Sequence, residues 1–459
     1  MTSSHPFDRR RAGVLCAVSS LPGSYDRGTL GDAAIRFLDF IEQAGLRVWQ
    51  VLPLNPPDRH GSPYHSTSAF AMDALLTADL SADEVQDHAR RNRSEFEAFR
   101  AESAFWLPDF AAFEAVARER SAAWPDWPKA LRDREPDALS RLHGERAAAI
   151  EAIIEAQFVV FSRWQALHRE AAARDVLLFG DVPLYPAHGS ADVWAHRSLF
   201  QLDANGEPLA VAGVPPDYFS VDGQRWGNPL YDWGRLATTE FGWWRERMAT
   251  QLALFDVVRL DHFRGLEAYW SIPRGADARS GAWVPGPGRD LLEALRHRFG
   301  RLPLVAEDLG IITPAVDALR TAFDLPGMRV LQFAFSGAPD NPHLPSQHRE
   351  DCVVYTGTHD NDTTLGWYGG LDEHTRAAVD ARLRGLGKPP WSMIALALDS
   401  IARTAIVPLQ DFLELGSAAR MNTPGTISGN WAWRFGERAT SRDLAKRIRA
   451  EVERSGRAA

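Results

Sequence analysis

The 459-residue sequence has only two cysteines, Cys16 and Cys352. That is too few for a disulfide scaffold, and both lie in short apolar runs that read as strands. Two buried reduced thiols fit a cytoplasmic protein. Basic residues are in deficit, with a net charge of −9. No surplus of cations exists to neutralise phosphates, so nucleic acid is not an expected partner. No apolar run approaches about 18 residues, so neither a transmembrane helix nor a membrane partner is expected. The start, Arg9-Arg10-Arg11 followed by Ala12 to Val18, imitates a signal peptide. Its apolar run is at the short limit and stops at Ser19-Ser20-Leu21-Pro22-Gly23, so it reads as a first strand. Internal repeats and low-complexity segments are lacking. So is any EF-hand-like or His/Cys ligand spacing, and no metal is expected.

What is there is a soluble globular composition, 45% hydrophobic and 24% charged, with 16 tryptophans. A buried Trp is ordinary core material. An exposed one offers a flat apolar face on which a pyranose ring packs. Trp226, Trp233, Trp283 and Trp431 sit in Gly/Pro-rich segments and are better platform candidates than a helical residue such as Trp164.

Eight short apolar runs recur: Gly13–Val18, Val48–Leu54, Val176–Tyr185, Leu254–Phe263, Leu302–Leu309, Met328–Phe335, Cys352–Asp360 and Ala405–Leu413. Near-continuous apolar strands are buried on both faces, the mark of a parallel sheet covered by helices. Ala33–Ala44 carries an apolar helical stripe closed by Gly45, and Asp290–Phe299 is closed by Gly300. Eight strands with intervening helices predict an α/β fold, a (β/α)₈ TIM barrel spanning residues 1–459. An open doubly wound sheet is the alternative. About 120 residues separate strands 2 and 3, far more than a barrel connection needs. Residues 55–175 are therefore expected to form an inserted, mainly helical subdomain, with a Ser81-Ala-Asp-Glu84 capping box and a break at Trp124-Pro-Asp-Trp-Pro128. A second insertion of loop and helix, residues 187–252, is expected to line the cleft. The tail from about Ser441 reads as a polar-faced helix that frays at its end.

Four strands end in carboxylates: Phe179-Gly-Asp181, Arg259-Leu-Asp261, Ala306-Glu307-Asp308 and Thr358-His359-Asp360-Asn361. The C-terminal ends of barrel strands converge on one mouth, so carboxylates there read as catalytic. One alone could be a helix cap or an ion-pair partner; four are harder to dismiss. Arg259 and Asp261 are two apart, which puts both on one face. A guanidinium beside a carboxylate favours its ionised form, as a nucleophile needs. A second carboxyl nearby favours protonation of one member, which suits Glu307 as general acid. A pair about 5 Å apart supports retaining glycoside chemistry.

These residues carry a resemblance. Asp181, Arg259-x-Asp261, Glu307 and His359-Asp360 are similar to the four signature regions of the α-amylase superfamily. Within it the chain resembles the amylomaltases, or 4-α-glucanotransferases. The matching stretches are Trp49-Gln-Val-Leu-Pro-Leu54, Ser62-Pro-Tyr64, Gly180-Asp-Val-Pro183, Ser190-Ala-Asp-Val-Trp-Ala195, Gly213-Val-Pro-Pro-Asp-Tyr-Phe219, Trp226-Gly-Asn-Pro229, Arg259-Leu-Asp-His-Phe-Arg-Gly265, Ala306-Glu-Asp-Leu-Gly310, Thr358-His-Asp-Asn361, Asn422-Thr-Pro-Gly425 and Gly429-Asn-Trp431. They run from about residue 13 to residue 435. The resemblance implies Asp261 as nucleophile, Glu307 as acid/base and Asp360 as stabiliser of the oxocarbenium-like state. It implies Asp181, Arg259 and His359 in the donor subsite, with Tyr64 and Trp226 against the sugars. Asp217, Tyr218 and Phe219 resemble a loop that folds over the cleft. It implies no cofactor, and maltooligosaccharides and α-1,4-glucans as donor and acceptor, handled by a monomer or weak homo-oligomer.

Three stretches depart from the family pattern. Pro56-Pro-Asp-Arg-His60 replaces a Gly-rich stretch that often carries an aromatic, His65 stands where Gln is common, and Gly189 where Asp is common. The first puts a secondary glucan site in doubt; the others touch acceptor preference. The same carboxylates also serve α-amylase-like hydrolases, and a non-catalytic glucan-binding protein is a further alternative. Long walls over the mouth and an aromatic acceptor platform fit transfer, which requires that the acceptor be held and water excluded.

Overall fold

A computed structural model describes residues 6–120, 122–216 and 221–458. Among the described residues there are twelve strands: β1 (Arg11–Leu15), β2 (Val48–Gln50), β3 (Leu177–Val182), β4 (Ala210–Val214), β5 (Gln224–Pro229), β6 (Val257–Leu260), β7 (Ala268–Pro273), β8 (Ala282–Pro285), β9 (Leu304–Ala306), β10 (Gly327–Val330), β11 (Cys352–Tyr355) and β12 (Thr404–Pro408). Eight of them form one parallel sheet in the order β10-β11-β12-β1-β2-β3-β6-β9. Each contains part of one of the eight apolar runs. Chain order follows spatial order around the sheet. Its two ends meet where the Ala306 amide donates to the Pro326 carbonyl at 2.8 Å. That near-closure makes the architecture a TIM barrel and not an open doubly wound sheet.

Side chains of these strands are buried toward both the lumen and the helices, which is why the runs are apolar throughout. Val305, Val330, Val353, Tyr355 and Ile406 belong to one buried cluster, while Val14, Val258, Val354 and Val407 belong to the larger one. The helix Asp32–Gln43 covers the barrel and stops at Gly45, whose φ of +71° is the left-handed value glycine adopts freely. Ser81 and Glu84 close their capping box at the start of Ala82–Arg91. Between β2 and β3 the chain is largely helical, and its longest element, Ala147–Ala173, runs for 27 residues. No helix among the described residues is long and apolar enough to cross a membrane.

Two features differ from the sequence expectation. Residues 187–252 hold β4 and β5 as well as loop and helix, and these pair with β7 and β8 in an antiparallel sheet ordered β5-β4-β7-β8. These strands are short and partly polar; they pair with each other, and β4 takes its second partner, β7, from beyond β6, so no clear local period marks them. The C-terminal end also does not fray. The helix Arg442–Arg454 buries Ala445, Ile448 and Val452. Beyond it Arg457, 0% exposed, donates to the carbonyls of Arg11, Leu398, Ser400, Ala402 and Arg403. A single buried guanidinium thus ties the tail to the N-terminal ends of β1 and β12.

Candidate active site

Asp181 on β3 and Arg259 on β6 are register partners in the parallel ladder, so both side chains point the same way from neighbouring strands. Arg259 Nη1 donates to both oxygens of Asp181 at 2.8 Å, and its Nη2 lies 2.7 Å from Asp261 Oδ1. Arg259 and Asp181 are almost wholly buried, whereas the Asp261 side chain is 28% exposed toward the mouth. Burial alone would lower the Arg259 pKa; the Asp181 and Asp261 carboxylates outweigh it and hold the guanidinium well above its ordinary value. Burial pushes the Asp181 carboxyl up, so its charge depends on that guanidinium. Close packing sets the position of Asp181. A Cβ on Gly180 would lie 2.3 Å from the Phe255 ring, so only glycine fits there.

Glu307 follows β9. Its Oε2 accepts from the His262 amide and its Oε1 from the Leu309 amide, both at 2.9 Å. His262 itself has a φ of +51°, a left-handed conformation that costs a non-glycine residue about 1–2 kcal/mol. Glu307 is pushed up to about 8, first by burial, with the Asp261 charge adding to the effect and Arg259 opposing it. Desolvation, more than the second carboxyl expected from the sequence, is the cause. Asp308 turns away from the mouth and accepts from the Met328 amide and Arg329, beside Arg320. A Cβ on Gly327 would meet its carboxylate at 2.2 Å.

Tyr64 joins the two halves of the site. Its hydroxyl donates to Asp181 Oδ2 at 2.7 Å, and its ring stacks on His359 at 5.2 Å and tilts against Trp431 at 5.6 Å. His359 Nε2 is 3.4 Å from Asp360 Oδ2. Asn422 Nδ2 donates to Asp360 Oδ1 at 2.6 Å, while Arg420 Nη2 donates to the Asp360 carbonyl. Trp226, on β5, sets its edge against the His262 ring at 4.7 Å. Burial pushes His262 down to about 4, so this imidazole is neutral at pH 7.

Tyr64, Asp181, Trp226, Arg259, Asp261, Glu307, His359 and Asp360 thus form one connected constellation. Asp217, Tyr218 and Phe219 lie outside the described residues. Of the tryptophans, Trp226 and Trp431 reach the site. Trp233 packs on the core beside Tyr231, and Trp283 lies on the antiparallel sheet under Arg264. Asn422 and the His262 amide carry no role in the sequence argument. Asn422 stands in a quoted motif, but nothing local says that its amide meets Asp360, and no residue pattern reveals a left-handed histidine. Beside Trp431 a cavity of about 310 Å³ runs between the segments after β1 and β2, lined also by Asn55, His60 and Arg434.

The arrangement holds one partly exposed carboxylate fixed by arginine, one carboxyl kept protonated by burial, and a third carboxylate with aromatic and imidazole faces opposite. That is the equipment for protonating a leaving oxygen, attacking an anomeric carbon and stabilising the positive charge between.

The family model described as 4-α-glucanotransferase matches residues 16–89 and 78–439. A 4-α-glucanotransferase of Thermus thermophilus is 43% identical over 98% of this chain and 99% of its own length. One of Synechocystis is 43% identical over 94% of each chain. Among solved structures, the amylomaltase from Streptococcus agalactiae in complex with acarbose superposes with a TM-score of 0.92 at 30% identity, covering 98% of this chain and all of that one.

Proposed function

Because the chain belongs to the 4-α-glucanotransferase family, and is an enzyme acting on α-1,4-glucans, we propose that it moves glucan segments by a retaining double displacement through a covalent glycosyl-Asp261 intermediate. The observation that carries this reading is the Arg259 guanidinium bridging Asp181 and Asp261 beside a Glu307 carboxyl raised to about 8.

In the first step an Asp261 oxygen attacks C1 of the donor ring. The C1–O4 bond breaks, and Glu307 gives its proton to the departing O4, leaving a shortened glucan and a glycosyl ester on Asp261. Arg259 holds the Asp261 oxygen in line. Asp360 and His359 receive the hydroxyls of the donor ring and stabilise the positive charge that builds at C1. In the second step Glu307, now a carboxylate, takes the proton of an acceptor 4-hydroxyl. That oxygen attacks C1, the ester bond breaks, and the α-1,4 linkage is restored with Asp261 free. Two inversions give net retention.

Water could replace the acceptor, so transfer depends on holding the acceptor and excluding water. In this reading the walls from residues 55–175 and 187–252, with Tyr64 and Trp226 against the sugars, perform that task. Maltooligosaccharides serve as both donor and acceptor for a monomer or weak homo-oligomer. Both thiols are free and buried, which suits work in a reducing cytoplasm.

Incubation with maltotriose alone tests the proposal. Glucose and a ladder of longer chains at constant total reducing ends is the expected result. Rising reducing ends with only shorter products would mean that water, not a glucan, resolves the intermediate.

A further inference from the structure

Burying a carboxylate is costly unless something pairs it. Asp411 is 1% exposed and sits in the short helix Leu409–Phe412 that follows β12. Among the described residues it forms no ion pair. Its oxygens instead accept three hydrogen bonds: from Thr356 Oγ1 at 2.6 Å, from the Thr364 amide at 2.7 Å and from Thr364 Oγ1 at 2.7 Å. Thr356 and Thr364 are both 0% exposed. They are the two feet of the loop that follows β11, and between them stand His359 and Asp360.

Other contacts hold that loop locally. Asn361 Oδ1 accepts from the Thr358 amide and hydroxyl, and Gln332 Nε2 donates to the Asp362 carbonyl. Neither joins the feet to each other, as the Asp411 carboxylate does from the neighbouring strand end. We propose that Asp411 is a positioning residue for the transfer reaction: by clamping Thr356 and Thr364 it sets where His359 and Asp360 stand against the reacting ring. The inference rests on the proposed role of Asp360. Its physical weight comes from geometry, since a misplacement of about 1 Å in a stabilising group can cost on the order of 100-fold in rate. Asp411→Ala leaves the Thr356 hydroxyl and the Thr364 amide without their acceptor. Asp411→Asn keeps one acceptor oxygen and an amide that donates to a threonine hydroxyl, so the feet stay bridged.

The test uses the full chain with Asp411→Ala, Asp411→Asn, Thr356→Val and Asp360→Asn. Maltotriose kcat and KM are measured on folded protein, together with the inhibition constant of a positively charged iminosugar that mimics the oxocarbenium state. For Asp411→Ala, kcat is expected to fall about 10- to 100-fold with KM within about threefold, and iminosugar binding to weaken in step. Thr356→Val should follow in the same direction by less, and Asp411→Asn should recover most of the loss. Unchanged kcat and inhibition with only a lower thermal midpoint would overturn the proposal. If Asp411→Ala does not fold, Thr356→Val decides it: wild-type kcat and inhibition in that variant overturn it equally. Loss in Asp360→Asn without loss in the others sinks the clamp alone; normal turnover by Asp360→Asn sinks the underlying role.

Discussion

Replacing Glu307 by glutamine removes the proposed proton donor while keeping nearly the same volume. Burial keeps this carboxyl protonated up to about pH 8, so the native group arrives at the donor already carrying the proton. Glutamine has none to give. Positioned acid catalysis contributes about 10²–10⁴-fold, or roughly 3–5 kcal/mol of barrier at 1.36 kcal/mol per tenfold. A second cost follows from the two backbone donors. The amides of His262 and Leu309 each point at one oxygen of Glu307. A carboxamide can accept only one of them and must set its NH₂ against the other, a mismatch of about 1–3 kcal/mol. Turnover of maltotriose by Glu307→Gln should therefore fall by about three to six orders of magnitude. An α-maltosyl fluoride donor needs no protonation of its leaving group, so its first step should suffer only the orientation loss. The variant should then accumulate a maltosyl ester, read by mass spectrometry as an adduct on the peptide containing Asp261. Near-normal maltotriose turnover would refute the acid/base role. Equal losses with the two donors would refute the reasoning that separates proton supply from orientation.

The pH dependence follows from the same group. As the proposed acid, Glu307 must be protonated in the free enzyme, and its carboxyl is raised to about 8 from 4.5; kcat/KM should decline tenfold per pH unit above that value, and a basic limb near 5 would contradict the burial argument. At the other end of the barrel, Arg457→Met removes the donors that five backbone carbonyls share. It should destabilise the fold by about 3–5 kcal/mol. A denaturation midpoint and faster hydrogen exchange over Arg442–Arg454 would report this, with maltotriose kinetics of the folded fraction unchanged.

Much of the site was legible because its parts are local. Strand ends are marked by where an apolar run stops, and a barrel sends all those ends to one mouth, so Asp181, Arg259, Asp261, Glu307 and Asp360 could be picked out one by one. The eight strands were legible for a related reason: burial on both faces forces a continuous apolar run, which needs no knowledge of the partner strand. The antiparallel sheet gave no such sign. Residues 210–214 pair on one side with 224–229 and on the other with β7, which lies some fifty-five residues onward, and pairing at that distance leaves no period in the sequence.

What the sequence by itself determined is therefore the inventory of chemistry and the order of the barrel strands. Tertiary structure decided which neighbour each group met. Arg259 takes both Asp181 and Asp261 because parallel register puts Asp181 beside it. Glu307 is held protonated chiefly by burial, a property of its surroundings that its neighbours in sequence do not encode. Asp411 and Arg457 read as an ordinary acid and an ordinary tail arginine until the fold buries them among the hydroxyls and carbonyls that satisfy them. Electrostatics and hydrogen bonding act over a few ångströms of space, and only the closed barrel brings residues hundreds of positions apart, such as Arg11 and Arg457, within that range.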